Sequence, residues 1–515
     1  MIKVTATDLI NKVNQKKYRE VIELVEKILK KKKDFFLYNI YVIALQNSSR
    51  VQDSIEAFKK SLILNNNNLD VMNNLANSYK IQKEYHNSEK IFKKILKINP
   101  NFFLSLLNYS NLKQELMLFN EAIEFYNKAL SLAPSKYYSI NILFNLSTIY
   151  EALGKFKKAR ECAEQILILE PENSSAHRII SKSNNYFYKS ENLNKMISIL
   201  KKNSLPEQDK IELNFALGKA YEDLKEFDKS FKFYENANKL RKKTSKYIFE
   251  DHLKLHNSII NFFENFDFTQ PSLKDFGTKI LFIIGMPRSG TSLTEVIISS
   301  HQNVVSTGES NFLNTIIQKN FLSNFVLEKK KIFNEAKLSN NLIQTNYLKM
   351  LSIHNIGSKV ITDKTIQNYL WVGFIKIFFP NSKIIICNRN PKDICTSIYK
   401  INFNKGFMDW SYDQKDIVNF YNLYSELISF WRSKFTKDIY NLNYENLIKN
   451  SEIEIKKLIS FCELDWDNNC LNHIQNNSAI NTASNYQARK PIYNSSINNY
   501  KMYEKYLYPM FELIK

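Results

Sequence analysis

A 34-residue period governs the first half of the chain. Pro100 and Pro134 close two similar segments, ILKINP and ALSLAP. One step back from Pro100 stands Asn66, just after SLILN. The aromatic positions Phe58, Phe92 and Tyr126 keep the same step, as do Leu64, Ile98 and Leu132. Leu24, within the segment Tyr18–Leu29, lies one step before Phe58. A further copy, EQILILEP, ends at Pro171, three residues late, which puts the extra residues in the 136–140 stretch. Another copy spans Leu217–Leu240. Each unit reads as two amphipathic helices, with apolar residues three and four apart. A helix pair of this size cannot bury its apolar face alone and must stack on its neighbours. The period therefore commits this half to an α-helical array, with the aromatic row as core.

Tyr150–Phe156 shows the turn chemistry expected between paired helices, with Gly154 at the reversal. These features resemble the tetratricopeptide repeat, over roughly residues 5–245. The resemblance implies a superhelix whose concave surface holds a protein or peptide partner; a scaffold or dimer surface stays open beside it. After Thr244 the period fades, and Phe262–Phe266 leads to Pro271 and Ser272. The expected organisation is a repeat array at 1–245, a helical connector at 246–277 and a second domain at 278–515.

Glycine guides the reading of the second half. Only nine occur in 515 residues, against an average of ~7 %, yet Gly285, Gly290 and Gly308 fall close together. The net charge of +21 is less informative, because it is spread through both halves of a chain rich in Lys, Asn and Ile; no nucleic-acid partner is expected. Apolar runs such as Ile280–Ile284 are far shorter than the ~20 residues of a membrane helix, and Met1–Lys17 does not read as a signal peptide. The five cysteines have no metal-ligand spacing and read as reduced thiols, which points to the cytoplasm.

Lys279–Ile284 has the pattern of a buried strand, and Leu293–Ser300 that of a helix. Between them runs Gly285, Met286, Pro287, Arg288, Ser289, Gly290, Thr291, Ser292. Strand, glycine loop and helix form a phosphate cradle, because backbone amides and the helix N-terminus converge on an anion. The spacing matches a nucleotide-triphosphate loop, but Thr291 stands where that loop needs Lys. ATP or GTP hydrolysis is therefore not expected. Arg288 supplies the cation instead, and its fork suits a pair of phosphate or sulfate oxygens.

Residues Pro287–Leu293 resemble the 5′-phosphosulfate loop of sulfotransferases that use 3′-phosphoadenosine 5′-phosphosulfate (PAPS), most of all the protein-tyrosine sulfotransferases and bacterial proteins that join tetratricopeptide repeats to that domain. Further segments agree in order: Ser300–Gln302 and Gly308–Glu309, Thr362–Lys364, Phe379–Ser382 before Lys383–Cys387, Asn388–Pro391, Tyr444–Leu447, Thr482–Tyr493 and Tyr503–Glu504. The resemblance covers about 279–510 and implies an α/β domain of the P-loop type with a parallel central sheet. It implies that Pro287, Arg288, Ser289, Gly290, Thr291 and Ser292 grip the 5′-phosphosulfate. Arg389 and Ser397 are implied at the 3′-phosphate, with Tyr444 beside it and Lys490 as a further cofactor contact. Glu309 falls at the place of the family's general base, with His301 as rival base or as a packing residue. Arg288, Lys364 and Ser484 are implied to stabilise charge on the bridging oxygen, and Asp363 to orient Lys364. No metal is implied. One departure is plain: where the family has a basic residue after the C-terminal proline signature, this chain has Asn498–Lys501, so Lys501, Lys490 or Arg489 must stand in. The implied acceptor is a hydroxyl, such as a protein tyrosine presented by the repeats. A carbohydrate or small-molecule hydroxyl stays open, as does a non-catalytic interaction protein with a degenerate loop domain.

Overall fold

The computed structural model describes residues 5–31, 33–48, 50–188, 190–268, 279–327, 343–351, 357, 359–403, 406–476, 478–492 and 496–515. Among them, fifteen helices run from Ala6 to Phe263 before the first strand. Packing divides the chain into two compact units, Met1–Leu146 and Ser147–Lys515.

In the first unit the periodic aromatics are core: Phe58, Phe92 and Tyr126 are buried. The parallel row Leu64, Ile98 and Leu132 is largely exposed, because it falls at the ends of its helices, where the chain turns away. The turn between paired helices is a left-handed residue followed by a return bond. Lys83 (φ 63°) and Met117 (φ 57°) take this conformation one period apart. Beyond each, Glu84 N–H donates to Tyr79 O and Leu118 N–H to Lys113 O, both at 2.9 Å. The same device recurs in the second unit at Gly154 (φ 72°) and Lys225 (φ 58°). Glycine is thus not what the turn requires, since lysine and methionine tolerate it elsewhere. The late arrival of Pro171 has its cause in helix Lys136–Ala152, which has 17 residues where Leu69–Ile81 and Phe103–Glu115 have 13.

The second unit holds the later repeat helices and a five-stranded parallel sheet. Its strands are β1 (Ile280–Gly285), β2 (Val304–Ser306), β5 (Val360–Asp363), β6 (Lys383–Asn388) and β7 (Ile439–Asn443), in the order β2-β5-β1-β6-β7. A small antiparallel pair, β3 (Leu322–Ser323) and β4 (Val326–Leu327), stands apart. Every residue of β1 is buried, as a central parallel strand covered on both faces must be. Strand register aligns Gly285 with Cys387, Asn388 with Asn443, and Ser306 with Thr362. The loops after all five strands therefore leave the same, carboxyl edge of the sheet, where ligands of open parallel sheets bind.

Sequence character changes near residue 245, yet the helices just before it pack with the sheet-bearing segment. Phe231 stacks on Tyr506 with ring centroids 4.3 Å apart, Ser230 Oγ lies 2.8 Å from Tyr503 Oη, and Asn238 donates to Tyr399 O at 2.8 Å. The expected connector contains helix Phe249–Phe263, whose Phe263 packs on Trp431 of helix Gln414–Lys434. Residues 269–277 of that connector, with Pro271, Ser272 and Gly277, lie outside the described residues, as does Tyr493.

Candidate active site

The glycine loop joins β1 to helix Thr291–Ser299. Gly290 is the N-cap residue at φ 104°, and no side chain caps the helix. First-turn amides of an uncapped helix are open to an anion, and the helix dipole favours one there. A methyl group at Gly290 would lie 2.6 Å from the Tyr444 ring, so the loop and Tyr444 need the absence of a side chain at that point. Ser289 is wholly buried, and its hydroxyl has no partner among the described residues.

Arg288 occupies the loop at φ 72°, a left-handed position that costs a non-glycine residue strain. Hydrogen bonds to side chains from two other parts of the chain hold its guanidinium there. Nε donates to Ser397 Oγ at 2.9 Å, Nη1 to Ser484 Oγ, and Nη2 to Gln487 Oε1 at 3.0 Å. Residues from 288, 397 and 484–487 thus meet at one cation. Arg389, the first residue after β6, joins them from behind: Nη1 donates to Arg288 O at 2.8 Å, and Nη2 to Ser496 O at 2.6 Å. Its guanidinium lies 4.8 Å from the centre of the Tyr444 ring, and its buried Nε has no partner among the described residues. Tyr444 Oη lies 2.9 Å from Ser496 Oγ. Ser397 therefore bonds directly to Arg288 and reaches Arg389 only through it. Ser292 Oγ and Thr482 Oγ1 are 3.0 Å apart.

A second cluster follows β2 and β5. Lys364 Nζ lies 3.0 Å from Glu309 Oε1 and 3.8 Å from Glu295 Oε2, with Lys364 and Glu295 buried and Glu309 about one-third exposed. Oε1 of Glu295 accepts from Ser306 Oγ at 2.9 Å, Gly308 N–H at 3.1 Å and Thr362 Oγ1 at 3.2 Å. Lys364 N–H donates to Gly308 O at 2.9 Å. The buried carboxylate thus ties the loop helix, the β2 loop and β5 into one frame that presents Glu309. Asp363 does not bond Lys364; it accepts from Tyr347 Oη, Asn368 and the Thr365 amide, and so fixes the chain on either side.

Burial pushes the Glu295 carboxyl upward, while Lys364 and the hydroxyls of Ser306 and Thr362 pull it back. Burial also opposes charge on Lys364, but Glu309 and Glu295 together outweigh it and hold the ammonium above its ordinary 10.5. A cation whose folded pKa is raised adds stability below the unfolded value, and this is lost as pH rises through the folded one. Lys364→Met is therefore expected to cost about 3–5 kcal/mol at neutral pH, the range for breaking a buried ion pair. Its deficit should shrink above about pH 10.5. Urea unfolding of both proteins at pH 7 and pH 11 checks each part.

His301 is not in the cluster. Its Nδ1 accepts from Asn303 N–H at 3.1 Å and its Nε2 faces Asp465 O at 2.9 Å, so both nitrogens serve packing at the end of the loop helix. Lys490 Nζ sits 4.3 Å from the Tyr486 ring centre. Arg489 donates Nη1 and Nη2 to the carbonyls of Asn476, Ser478 and Ala152. Lys501 is exposed. The Asn498–Tyr500 turn is held by Asp393, which accepts both its amides, at 2.8 and 3.0 Å. Glu295, Gln487, Ser496 and Asp393 did not stand out in the sequence. Only Glu295 left a trace there, as the one charge in an apolar helical run.

The five cysteines are free and buried, and burial pushes Cys387, at the end of β6, up to about 12. Among the described residues no group of three His, Cys, Asp or Glu side chains is placed to hold a metal, and no helix is long and apolar enough to cross a membrane.

Parts of the chain are similar to known proteins. Residues 281–468 match the sulfotransferase family, and residues 69–102, 102–167 and 211–244 match the tetratricopeptide repeat. An uncharacterized protein of Aquifex aeolicus is 30 % identical over 391 residues, covering 73 % of this chain but only 50 % of the Aquifex protein. A putative protein-tyrosine sulfotransferase of Caenorhabditis briggsae is 24 % identical over 212 residues, 38 % of this chain and 69 % of the relative. Among solved structures, the sulfotransferase domain of a Synechococcus olefin synthase is 16 % identical, with a TM-score of 0.32 over 45 % of this chain and 90 % of that one. Most of the carboxyl-edge cluster thus lies in the stretch, residues 281–468, that belongs to the sulfotransferase family, and the preceding part of the chain carries tetratricopeptide repeats at 69–167 and 211–244.

Proposed function

We propose that the chain is a PAPS-dependent sulfotransferase that sulfates a hydroxyl, with a protein tyrosine held by the repeats as the favoured acceptor. The observation that carries the reading is the meeting of Arg288, Ser397 and Ser484 at an uncapped helix N-terminus, beside Arg389 stacked on Tyr444. Buried polar atoms without partners among the described residues, Ser289 Oγ and Arg389 Nε, suit a ligand rich in acceptor oxygens. PAPS would supply the sulfuryl group and a 5′-phosphate leaving group.

The chain's residues then divide the work. The loop amides from Arg288 to Ser292, with the Arg288 fork, bind the 5′ anion. Arg389, Ser397 and Tyr444 bind the 3′-phosphate, the group that separates this donor from ordinary nucleotides, and Lys490 is a further contact. Glu309 takes the proton of the acceptor hydroxyl as its oxygen bonds to sulfur. The bond from sulfur to the 5′-phosphate oxygen breaks, and Lys364, Ser484 and Arg288 stabilise the charge left on that oxygen. Alignment of donor and acceptor supplies much of the rest. No resident metal enters this scheme. The repeats fit a peptide acceptor because stacked helix pairs build extended binding surfaces, and five buried free thiols favour the cytoplasm.

Two measurements test the reading. Calorimetry with adenosine 3′,5′-bisphosphate should show saturable binding, and transfer of labelled sulfuryl from PAPS to tyrosine peptides should exceed that to glycans. Binding without transfer to any hydroxyl would favour the interaction-protein reading. Transfer to glycans alone would move the acceptor to carbohydrate.

A further inference from the structure

Two of the side chains that bond the Arg288 guanidinium, Ser484 and Gln487, come from a segment with almost no regular structure. Apart from one short 3-10 turn, Gln487–Arg489, residues 478–490 are irregular. Such a segment holds a position only if something else fixes it. On one side Asn476 anchors it to the loop helix, donating to Val296 O at 2.9 Å. On the other side, the anchor is a turn of the repeat array.

That turn joins helices Lys136–Ala152 and Phe156–Leu169. The last carbonyl of the first helix, Ala152 O, accepts from the Ile480 amide at 2.8 Å and from Arg489 Nη2 at 2.8 Å. Arg489 also binds the segment to itself, through Ser478 O at 2.6 Å and Asn476 O at 3.1 Å. The Arg489 side chain lies on Gly154: a methyl there would be 2.6 Å from its Cδ and 2.7 Å from its Nε. Phe156, the first residue of the second helix, meets Tyr486 edge to face with centroids 4.9 Å apart. Equivalent turns carry Lys83, Met117 and Lys225. Glycine at this one therefore answers to the close approach of Arg489 and not to the turn.

We infer that the turn Ala152–Phe156 is a seat for the segment that completes the donor site, with Arg489 as its clasp, so that donor grip depends on this repeat. Arg489 is then a positioning residue, acting on Arg288 through Ser484 and Gln487. The inference rests on the proposed donor site. It also gives the repeat array a second task besides partner binding, since one of its turns is a structural part of the transferase.

The test uses the full chain. Arg489→Ala should weaken adenosine 3′,5′-bisphosphate binding about tenfold or more, as expected when hydrogen bonds from a charged group are lost. Phe156→Ala, a milder change, should act in the same direction, and Arg489→Lys should recover part of the loss. The readout that separates positioning from general destabilisation is coupling. In a Ser484→Ala, Gln487→Ala background, Arg489→Ala should add little, whereas independent effects would multiply. Equal affinity of the wild type and Arg489→Ala, or multiplying effects, overturns the seat and leaves the proposed function intact. A wild-type chain that binds no bisphosphate overturns the proposed function and, with it, the seat's role.

Discussion

Arg288→Ala is expected to lower affinity for adenosine 3′,5′-bisphosphate and PAPS by about 100-fold or more. The guanidinium is the cation inside the loop, and it is fastened to Ser397, Ser484 and Gln487 from two other parts of the domain. Its removal takes away charge-assisted bonds to an anion, each about 1.5–3 kcal/mol. It also leaves three polar side chains without their common partner, and Arg389 loses the ordered carbonyl it holds at residue 288. The effect should appear in binding itself, by calorimetry, and not only in turnover. Arg288→Lys should recover little, because the compact ammonium lacks the planar fork whose three separate nitrogens reach Ser397, Ser484 and Gln487. Unchanged affinity in Arg288→Ala would place the donor elsewhere.

Glu309→Gln should do the opposite. Donor affinity should stay within about twofold while kcat falls by roughly 10²–10⁴, the usual worth of a general base. The amide keeps the size of the side chain and an oxygen for Lys364, but it cannot accept the acceptor proton. Glu309 is the exposed member of a trio whose other two members, Lys364 and Glu295, are buried. That asymmetry leaves it the one carboxylate of the trio able to meet an incoming hydroxyl. Single-turnover transfer, with donor binding measured on the same sample, separates the two effects. Full activity in Glu309→Gln would remove it as the base. His301 would not inherit the role, since both its ring nitrogens are engaged by backbone.

Much of this was legible in the sequence because the signals are local. A period of 34 residues reports that identical neighbours must stack, and the burial of Phe58, Phe92 and Tyr126 follows from it. A buried-strand pattern, a glycine loop and a helix pattern in succession describe one strand–loop–helix unit in a single stretch of chain. Glu309, Lys364, Arg389 and Tyr444 were named from the resemblance to the sulfotransferases, and each comes just after a strand, where parallel strands send such positions to one edge.

Contacts between distant segments were not legible. Glu295 looks like any helical glutamate until Ser306, Gly308, Thr362 and Lys364 converge on it. Arg489 was a candidate phosphate ligand by charge alone, and only the fold turns it toward the carbonyls of Ala152, Asn476 and Ser478. Gly154 read as a turn residue, because turn chemistry is local and the arginine that crowds it lies more than 300 residues away. Compactness likewise divides the chain at Leu146, while sequence character changes near 245. The side chains of Phe231, Asn238 and Ser230 pack on partners that no periodicity records.

The sequence by itself determined the repeat array, and the strand, glycine loop and helix with Arg288 inside the loop and Thr291 just after it. Those depend on spacing along the chain, which backbone geometry converts directly into helices, turns and edges. Only the tertiary structure decided which hydroxyls hold Arg288, which buried carboxylate supports Lys364 and Glu309, and that a repeat turn clasps the segment completing the site. Those depend on where side chains far apart in sequence come to rest, and that is set by packing of the whole unit.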